Sequence, residues 1–468
     1  MKDIFTTFSP SVDVNSFPFS SFKAINKLGT NATPAVTTDT RSISEIIQSR
    51  VTLDKSHPDS ENPFFVADLG DVVRQHQQWK ALLPRVEPFY AIKCNPDPAI
   101  LQTLAGLGTG FDCASKAEID MVLEQGVDPS RIIYANPCKQ ASHIRHAGAC
   151  NVKVMTFDNA DELYKIKQAM PSAKMVLRIL TDDSRSVCRF GIKFGASLAA
   201  VPSLLRTARE LDIDVIGISF HVGSGCYDAS AFSEAVLLAR KAFDIGQALD
   251  FNFTLLDIGG GFPGRSTEGI QFTDVARLLR PVIDDNFPET VRVIAEPGRY
   301  FASSAFTLAV NIFARRVVLR DTIESTTASS EFGKDSPTTV SSQLSLDSEC
   351  NPTNANEHPS YMYYINDGMY GSFNCLTFDH AVVKAIPLVR QGEYLFDSPE
   401  VSDSMPQFSC SIWGPTCDSI DCIGRECLLP MMKIGDWLYF SNMGAYTMAA
   451  ASAFNGFEKS TVLYTTTN

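Results

Sequence analysis

A single lysine closes an apolar run in Phe89-Tyr90-Ala91-Ile92-Lys93-Cys94-Asn95-Pro96. The run reads as a buried strand, and Asn95-Pro96 as the turn that ends it. Lys93 then stands at the carboxyl end of the strand. Desolvation there lowers the pKa of an amine and leaves it nucleophilic. Such an amine can form a Schiff base with an aldehyde. Many lysines at strand ends are idle, so Lys93 gains weight only from its company. Gly259, Gly260 and Gly261 follow another apolar run, and glycines there let backbone amides approach an anion. Glu296-Pro297-Gly298-Arg299 follows a third run, and Arg299 adds a positive fork. A phosphate site and a Schiff-base lysine together point to pyridoxal 5'-phosphate. Glu296 can then keep a pyridine nitrogen protonated. His221, in Ser219-Phe220-His221-Val222-Gly223-Ser224, is placed to lie flat against the ring.

These residues need a frame that gathers them. Strand-like runs occur at Phe89–Ile92, Gly110–Cys113, Ile132–Ala135, Val154–Phe157, Met175–Ile179, Val215–His221, Thr254–Ile258 and Arg292–Ala295. Helical patterns such as Pro98–Leu107, Lys116–Glu124, Ala160–Ala169, Ser203–Leu211 and Ser230–Leu249 separate them. Eight such units predict a closed (β/α)8 barrel of the TIM type, whose chemistry lies at the carboxyl ends of the strands. Lys93, Asp112, Asn136, Arg178, His221, the three glycines and Glu296 all fall at or near those ends. In such barrels the loops after strands seven and eight form the usual phosphate site, and the glycines and Arg299 occupy them.

The 468-residue chain is 44% hydrophobic, enough for two domains. Its net charge of −13 and the lack of a basic block give no support for nucleic-acid binding. No apolar run is long enough to span a bilayer, so no membrane role is expected. Twelve cysteines lack paired zinc spacing, which favours reduced thiols in the cytoplasm and no metal in the chemistry. Most read as inert packing, Cys150 among them. Residues 1–60 are rich in Ser, Thr, Asn and Pro and predict a flexible extension, with Ile43–Leu53 as a short element and its end a candidate to join the β domain. The barrel is expected over 61–305. Residues 306–468 predict an all-β domain, a sandwich or Greek-key barrel, with a disordered loop at 321–360.

The β domain carries Ile412-Trp413-Gly414-Pro415-Thr416-Cys417-Asp418. A thiol beside carboxylates holds its proton and can donate it. Asp379, in Phe378-Asp379-His380, offers an acid to a cationic substrate. Tyr446, in Asn442-Met443-Gly444-Ala445-Tyr446, offers a phenol to a phosphate.

In order along the chain stand Phe-Tyr-Ala-Ile-Lys-Cys-Asn, Gly-Phe-Asp-Cys-Ala-Ser, Ile-Tyr-Ala-Asn-Pro-Cys-Lys, Ser-Phe-His-Val-Gly-Ser-Gly, Asp-Ile-Gly-Gly-Gly-Phe-Pro-Gly, Ala-Glu-Pro-Gly-Arg-Tyr, Trp-Gly-Pro-Thr-Cys-Asp and Asn-Met-Gly-Ala-Tyr. With these motifs, from about Phe64 to Phe457, the chain resembles the eukaryotic ornithine decarboxylases, which are alanine-racemase-like (fold-type III) pyridoxal phosphate enzymes. The resemblance implies that Lys93 is the Schiff-base lysine, Asp112 an acid near the cofactor and Arg178 part of its pocket. It implies that His221 stacks on the ring and that Glu296 partners the pyridine nitrogen. Ser224, Gly259, Gly260, Gly261, Gly298, Arg299 and Tyr446 would contact the phosphate. Asp379 and Asp418 would hold the distal ammonium of L-ornithine, and Cys417 would protonate the decarboxylated carbon on the way to putrescine. It also implies a homodimer with shared sites, in which Cys417 and Asp418 come from the other subunit, and it leaves antizyme open as a partner. Phe378 departs from the tyrosine usual in animal members, and the destabilising tail of vertebrate members is not expected. Glutamate after the cysteine marks the diaminopimelate-specific relatives, so Asp418 disfavours that substrate. A lysine or other basic amino acid decarboxylase and an inactive antizyme-binding homologue are the alternatives.

Overall fold

The computed structural model describes residues 39–265, 269–318 and 360–467. The expected loop at 321–360, except Ser360, and the first 38 residues of the extension lie outside them.

A strand β1 (Phe64–Asp68) and a helix α2 (Leu69–Leu82) precede the barrel, and a helix α1 (Ile43–Val51) comes before both. Asp68 caps α2, its carboxylate accepting from Gly70 N at 2.9 Å. The barrel strands are β2 (Val86–Ala91), β3 (Gly110–Cys113), β4 (Ile132–Tyr134), β5 (Val154–Phe157), β6 (Lys174–Arg178), β8 (Asp214–Ser219), β10 (Leu255–Asp257) and β11 (Arg292–Ala295). They close in the order β10-β11-β2-β3-β4-β5-β6-β8, each pair parallel. The eight expected runs are therefore the eight barrel strands. Between them come α3 (Pro98–Gly106), α4 (Lys116–Glu124), α5 (Ala141–Ala149), α6 (Ala160–Ala169), α7 (Val201–Glu210), α8 (Ser230–Ala248) and α9 (Phe272–Asn286). A two-stranded ribbon of β7 (Ser186–Cys188) and β9 (Ser224–Cys226) flanks β8.

Phe89, Ile133, Val176, Leu255 and Ile294, each from a different strand, pack together as a plug inside the barrel. Gly110 makes room for it, because a Cβ there would lie 2.6 Å from the Phe89 ring. Side chains two residues apart on a strand share a face. The faces of Val176, Leu255 and Ile294 therefore continue through Arg178, Asp257 and Glu296. Polar groups crown an apolar plug at the carboxyl end.

The second domain is a nine-stranded sheet. Its strands after the barrel are β12 (Phe306–Val318), β13 (Ser360–Ile365), β14 (Ile386–Arg390), β15 (Glu393–Tyr394), β16 (Gln407–Trp413), β17 (Cys422–Pro430), β18 (Trp437–Phe440) and β19 (Thr461–Thr465). The path runs β15-β14-β18-β12-β13-β16-β17, with β1 paired antiparallel to β12 and parallel to β19. Phe64–Asp68 falls within the 61–305 stretch read as barrel, yet it belongs to this sheet. Its alternation explains why. Phe65 and Ala67 enter the main core, while Phe64 and Val66 pack with Ile46 and Ile47 of α1, Trp437 and Tyr439. The end of the extension is thus bound to the β domain, and Asp39 N also donates to Tyr464 O at 2.9 Å.

Trp79 of α2 is fully buried and stacks on Phe272, with centroids 5.1 Å apart. It meets Phe262 edge-on at 4.8 Å, and its Nε1 donates to Val86 O at 2.9 Å. Trp79→Ala will destabilise the protein by about 3–5 kcal/mol, because the cavity cannot collapse around the rings of Phe262, Phe272, Tyr300 and Phe301. Denaturant unfolding measures it, and a loss under about 1 kcal/mol would mean the cluster repacks.

Candidate active site

Lys93 lies in the helical turn Ile92–Cys94 directly after β2. Its Nζ forms an ion pair with the fully buried Asp112 of β3. The other Asp112 oxygen, Oδ1, has no hydrogen-bond partner. Burial alone would lower the Lys93 pKa, but the carboxylates of Asp112 and Glu296 outweigh it and the amine is held above the ordinary lysine value. This corrects the expectation of a lowered pKa. The Lys93 side chain keeps 38% of its surface exposed, so its desolvation is partial, and the two anions facing it win.

Glu296, just past β11, is buried and 8% exposed. Burial first, then Asp257 and Asp112, push its pKa well above the carboxylate range. Asp257, the last residue of β10, has no exposed surface; its Oδ1 accepts from Gly259 N at 2.9 Å, and its carboxyl group interacts with that of Glu296. Burial raises it to about 7. Two carboxyls this deep and this close share protons until a cation arrives. Asp257 was not among the candidates from sequence. The signal was there, since an acid sharing a strand face with Leu255 must point into the barrel.

Below about 7, the folded, cofactor-free chain keeps a proton on Asp257 that the unfolded chain releases above its ordinary value of 3.8. Stability therefore falls as pH rises through that window, by up to about 1.4 kcal/mol per pH unit. Asp257→Asn will lose less of its thermal midpoint between pH 5 and 7 than the unmodified chain. Equal losses would assign the proton elsewhere.

His221 follows β8, and its Nδ1 accepts from Gly223 N at 2.9 Å. Burial, Arg178 and Lys93 hold its pKa well below the histidine range. The ring is thus neutral, with its proton on Nε2. Nε2 faces Gly260, where an added Cβ would sit 2.9 Å from it and 2.7 Å from Glu296 O. Phe190 meets the His221 ring edge-on at 4.9 Å. Arg178, the last residue of β6, stacks over Phe194 at 5.2 Å.

Arg299 opens a short helical turn after Gly298. It donates to Ser224 Oγ at 2.7 Å and to both oxygens of Asp379 at 2.6 and 3.0 Å. Its guanidinium lies 5.1 Å over the Tyr446 ring, and Tyr446 N donates to Cys94 O at 2.9 Å. Gly259 and Gly261 have φ of 63° and 99°, left-handed values that favour glycine. Arg299, Ser224, Tyr446 and Asp379 thus meet beside the glycine loop.

Cys417 and Asp418 stand apart. Among the described residues, no hydrogen bond or ion pair joins either to this group. Cys417 is exposed, and its N donates to Asn455 Oδ1 at 3.4 Å. Asp418 accepts from Tyr370 Oη at 2.5 Å and Ile420 N at 3.0 Å, and the Tyr370 hydroxyl first, then that amide, lower its pKa. Asp421 ties the loop down, accepting from Met369 N at 2.7 Å and Thr416 N at 2.9 Å. Asp421 is the second carboxylate of the stretch around Cys417, whereas Tyr370 carried no signal in sequence, because its partner Asp418 is 48 residues away in the chain.

Residues 69–303 match the model of the pyridoxal-binding domain of the pyridoxal-dependent decarboxylases. The chain belongs to this family. As a pyridoxal-dependent decarboxylase, it is 50% identical to the ornithine decarboxylase of Rattus norvegicus over 411 residues, 87% of this chain and 82% of that one. It is 48% identical to antizyme inhibitor 2 of Xenopus laevis over 87% of this chain and 82% of that one. Its fold is similar to the Paramecium bursaria Chlorella virus arginine decarboxylase, with a TM-score of 0.75 at 34% identity, covering 90% of this chain and all of that one. The family's barrel thus carries the lysine, the acids and the glycine loop just described.

Proposed function

We propose that this chain decarboxylates L-ornithine to putrescine with pyridoxal phosphate. The observation that carries the reading is the convergence of Lys93, Asp112, Glu296, His221 and Arg299 on one barrel mouth in a decarboxylase fold. An inactive homologue such as an antizyme inhibitor has no need of a lysine poised between two acids.

The residues present fit the cofactor. The glycine loop cannot take a Cβ at Gly260, where it would lie 2.7 Å from Glu296 O, and with the Gly259 amide given to Asp257 Oδ1 the amides of Gly260 and Gly261 are the ones that could meet an anion. Arg299 and Ser224 supply further donors beside Tyr446. Glu296 and Asp257 are buried acids whose pKa values burial raises. When bound, pyridoxal phosphate supplies an aldehyde for amines and a ring that accepts the electron pair left by CO2. Lys93 would offer the amine, which its ion pair with Asp112 holds in position. Glu296 would stand opposite the ring nitrogen and favour a proton there, and neutral His221 would cover the ring and exclude water. Arg299, Ser224, Gly259, Gly260, Gly261, Gly298 and Tyr446 hold the phosphate, while Arg178 lines the pocket. Asp379 and Asp418 hold the distal ammonium, and Cys417 delivers a proton to the substrate Cα.

That assignment requires Cys417 and Asp418 to reach a mouth they do not touch in their own chain. A two-fold homodimer supplies them from the partner, where exposed loops of one copy complete the site of the other. No described helix is long and apolar enough to cross a membrane. The cysteines among the described residues are all free, which suits a reducing cytoplasm. Antizyme is a candidate partner because a relative bears that name.

Release of CO2 from ornithine, lysine, arginine and diaminopimelate tests the reading, and ornithine will be the best substrate. No release from any, with cofactor bound, would favour the inactive homologue. Asp418→Glu will lower kcat/KM for ornithine by about 2 kcal/mol or more, because the longer acid intrudes on the ammonium and spoils a desolvated charge pair. An unchanged kcat/KM would remove Asp418 from the substrate site.

A further inference from the structure

We propose that Asp120, His146 and Cys150 form a binding site for a zinc-class divalent cation on the outer face of the barrel. Asp120 lies on α4, while His146 and Cys150 lie one turn apart at the end of α5. That i, i+4 spacing puts the imidazole and the thiol on one helical face. Asp120 Oδ1 lies 2.6 Å and Cys150 Sγ 3.6 Å from the same nitrogen, His146 Nε2. The three donor atoms all lie within 4.8 Å of one another, and this is the one such trio among the described residues.

The arrangement exceeds what an ion pair needs. One ring nitrogen carries one proton or one lone pair, so it serves a carboxylate and a thiol together only through a weaker, shared contact. A cation between the three serves all of them. A tetrahedral ion with bonds of about 2.3 Å to sulfur and about 2.0 Å to nitrogen holds those two atoms about 3.5 Å apart. The observed separation of 3.6 Å needs no adjustment. The carboxylate must withdraw slightly, and the Asp120 side chain, 40% exposed, is free to do so. Thiolate, imidazole and carboxylate together suit zinc or cobalt and not magnesium or calcium. Three protein ligands leave a fourth position for water.

Binding takes Cys150 as thiolate and His146 as the neutral ring, with the thiol proton released to solvent. None of the three is hydrogen-bonded or ion-paired to the barrel mouth among the described residues. The ion would pin α4 to α5 without entering the decarboxylation. Cys150 is thus more than the inert packing that its sequence context predicts.

The test uses the holoenzyme, stripped with a chelator, equilibrated with Zn2+ and dialysed. The other cysteines can bind zinc too, so the comparison is with His146→Ala and Cys150→Ser. The unmodified chain will keep one zinc per chain more than either variant. Its thermal midpoint will rise with Zn2+ while theirs will not. Co2+ in its place will give the absorption of a tetrahedral thiolate site, and Cys150→Ser will abolish that band with ornithine decarboxylation unchanged. Equal zinc retention in all three proteins, or a cobalt band that survives Cys150→Ser, would overturn the proposal. If His146→Ala does not fold, the near-isosteric Cys150→Ser decides alone.

Discussion

Chains carrying Lys93→Ala and chains carrying Cys417→Ala will each be nearly inactive, and mixing them will restore roughly a quarter of the normal activity through symmetric two-fold pairing. The reason lies in what each chain contributes. Lys93 belongs to the barrel mouth, paired with Asp112. Cys417 sits on an exposed loop of the β domain, held by Asp421 and Tyr370 and, among the described residues, joined by no hydrogen bond or ion pair to that mouth. In a mixed dimer one site carries both defects and the other carries neither. Random exchange makes about half the dimers mixed, each with one working site of two. A site built within one chain would leave every site with one defect and recover nothing. Absent recovery, with exchange confirmed by labelled subunits, the shared site falls and the decarboxylase reading stands.

Glu296→Gln will lower kcat by about a hundredfold to a thousandfold, the usual loss when a buried electrostatic partner of the reacting system is removed. The amide keeps the shape of Glu296 but cannot balance a positive charge on a ring nitrogen. Its site is 8% exposed, so water cannot substitute. Asp257, raised to about 7 in the ligand-free chain, remains nearby and will keep the loss from being total. Steady-state kcat together with the absorbance of bound cofactor measures this. A fall below tenfold with cofactor retained would mean that Glu296 does not face the ring nitrogen. Loss of cofactor would mean that it acts mainly in binding.

Much of this site can be read from the chain because strands impose a period of two and barrels place strand ends on one rim. Lys93, Asp112, Arg178, His221, the glycines and Glu296 each follow or end an apolar run, so alternation alone puts them at the mouth. Asp257 meets the same criterion through Leu255, although in sequence it is masked by the glycines that directly follow its strand. Phe64–Asp68 is harder. Five buried residues before a helix look the same whether they open a barrel or join a distant sheet, and the partners, β12 and β19, are remote in sequence.

By itself, then, the sequence determined the eight barrel strands, the β domain behind them and the list of residues able to do the chemistry. These follow from local periodicity and residue type. Tertiary structure alone decided which of those residues meet. It paired Arg299 with Asp379, set Asp120, His146 and Cys150 around one point, and left Cys417 exposed and Asp418 bonded to Tyr370 and Ile420. It also decided the charge state of Lys93. Burial and two anions act in opposite directions on one amine, and only their distances, fixed when the barrel closes, tell which prevails.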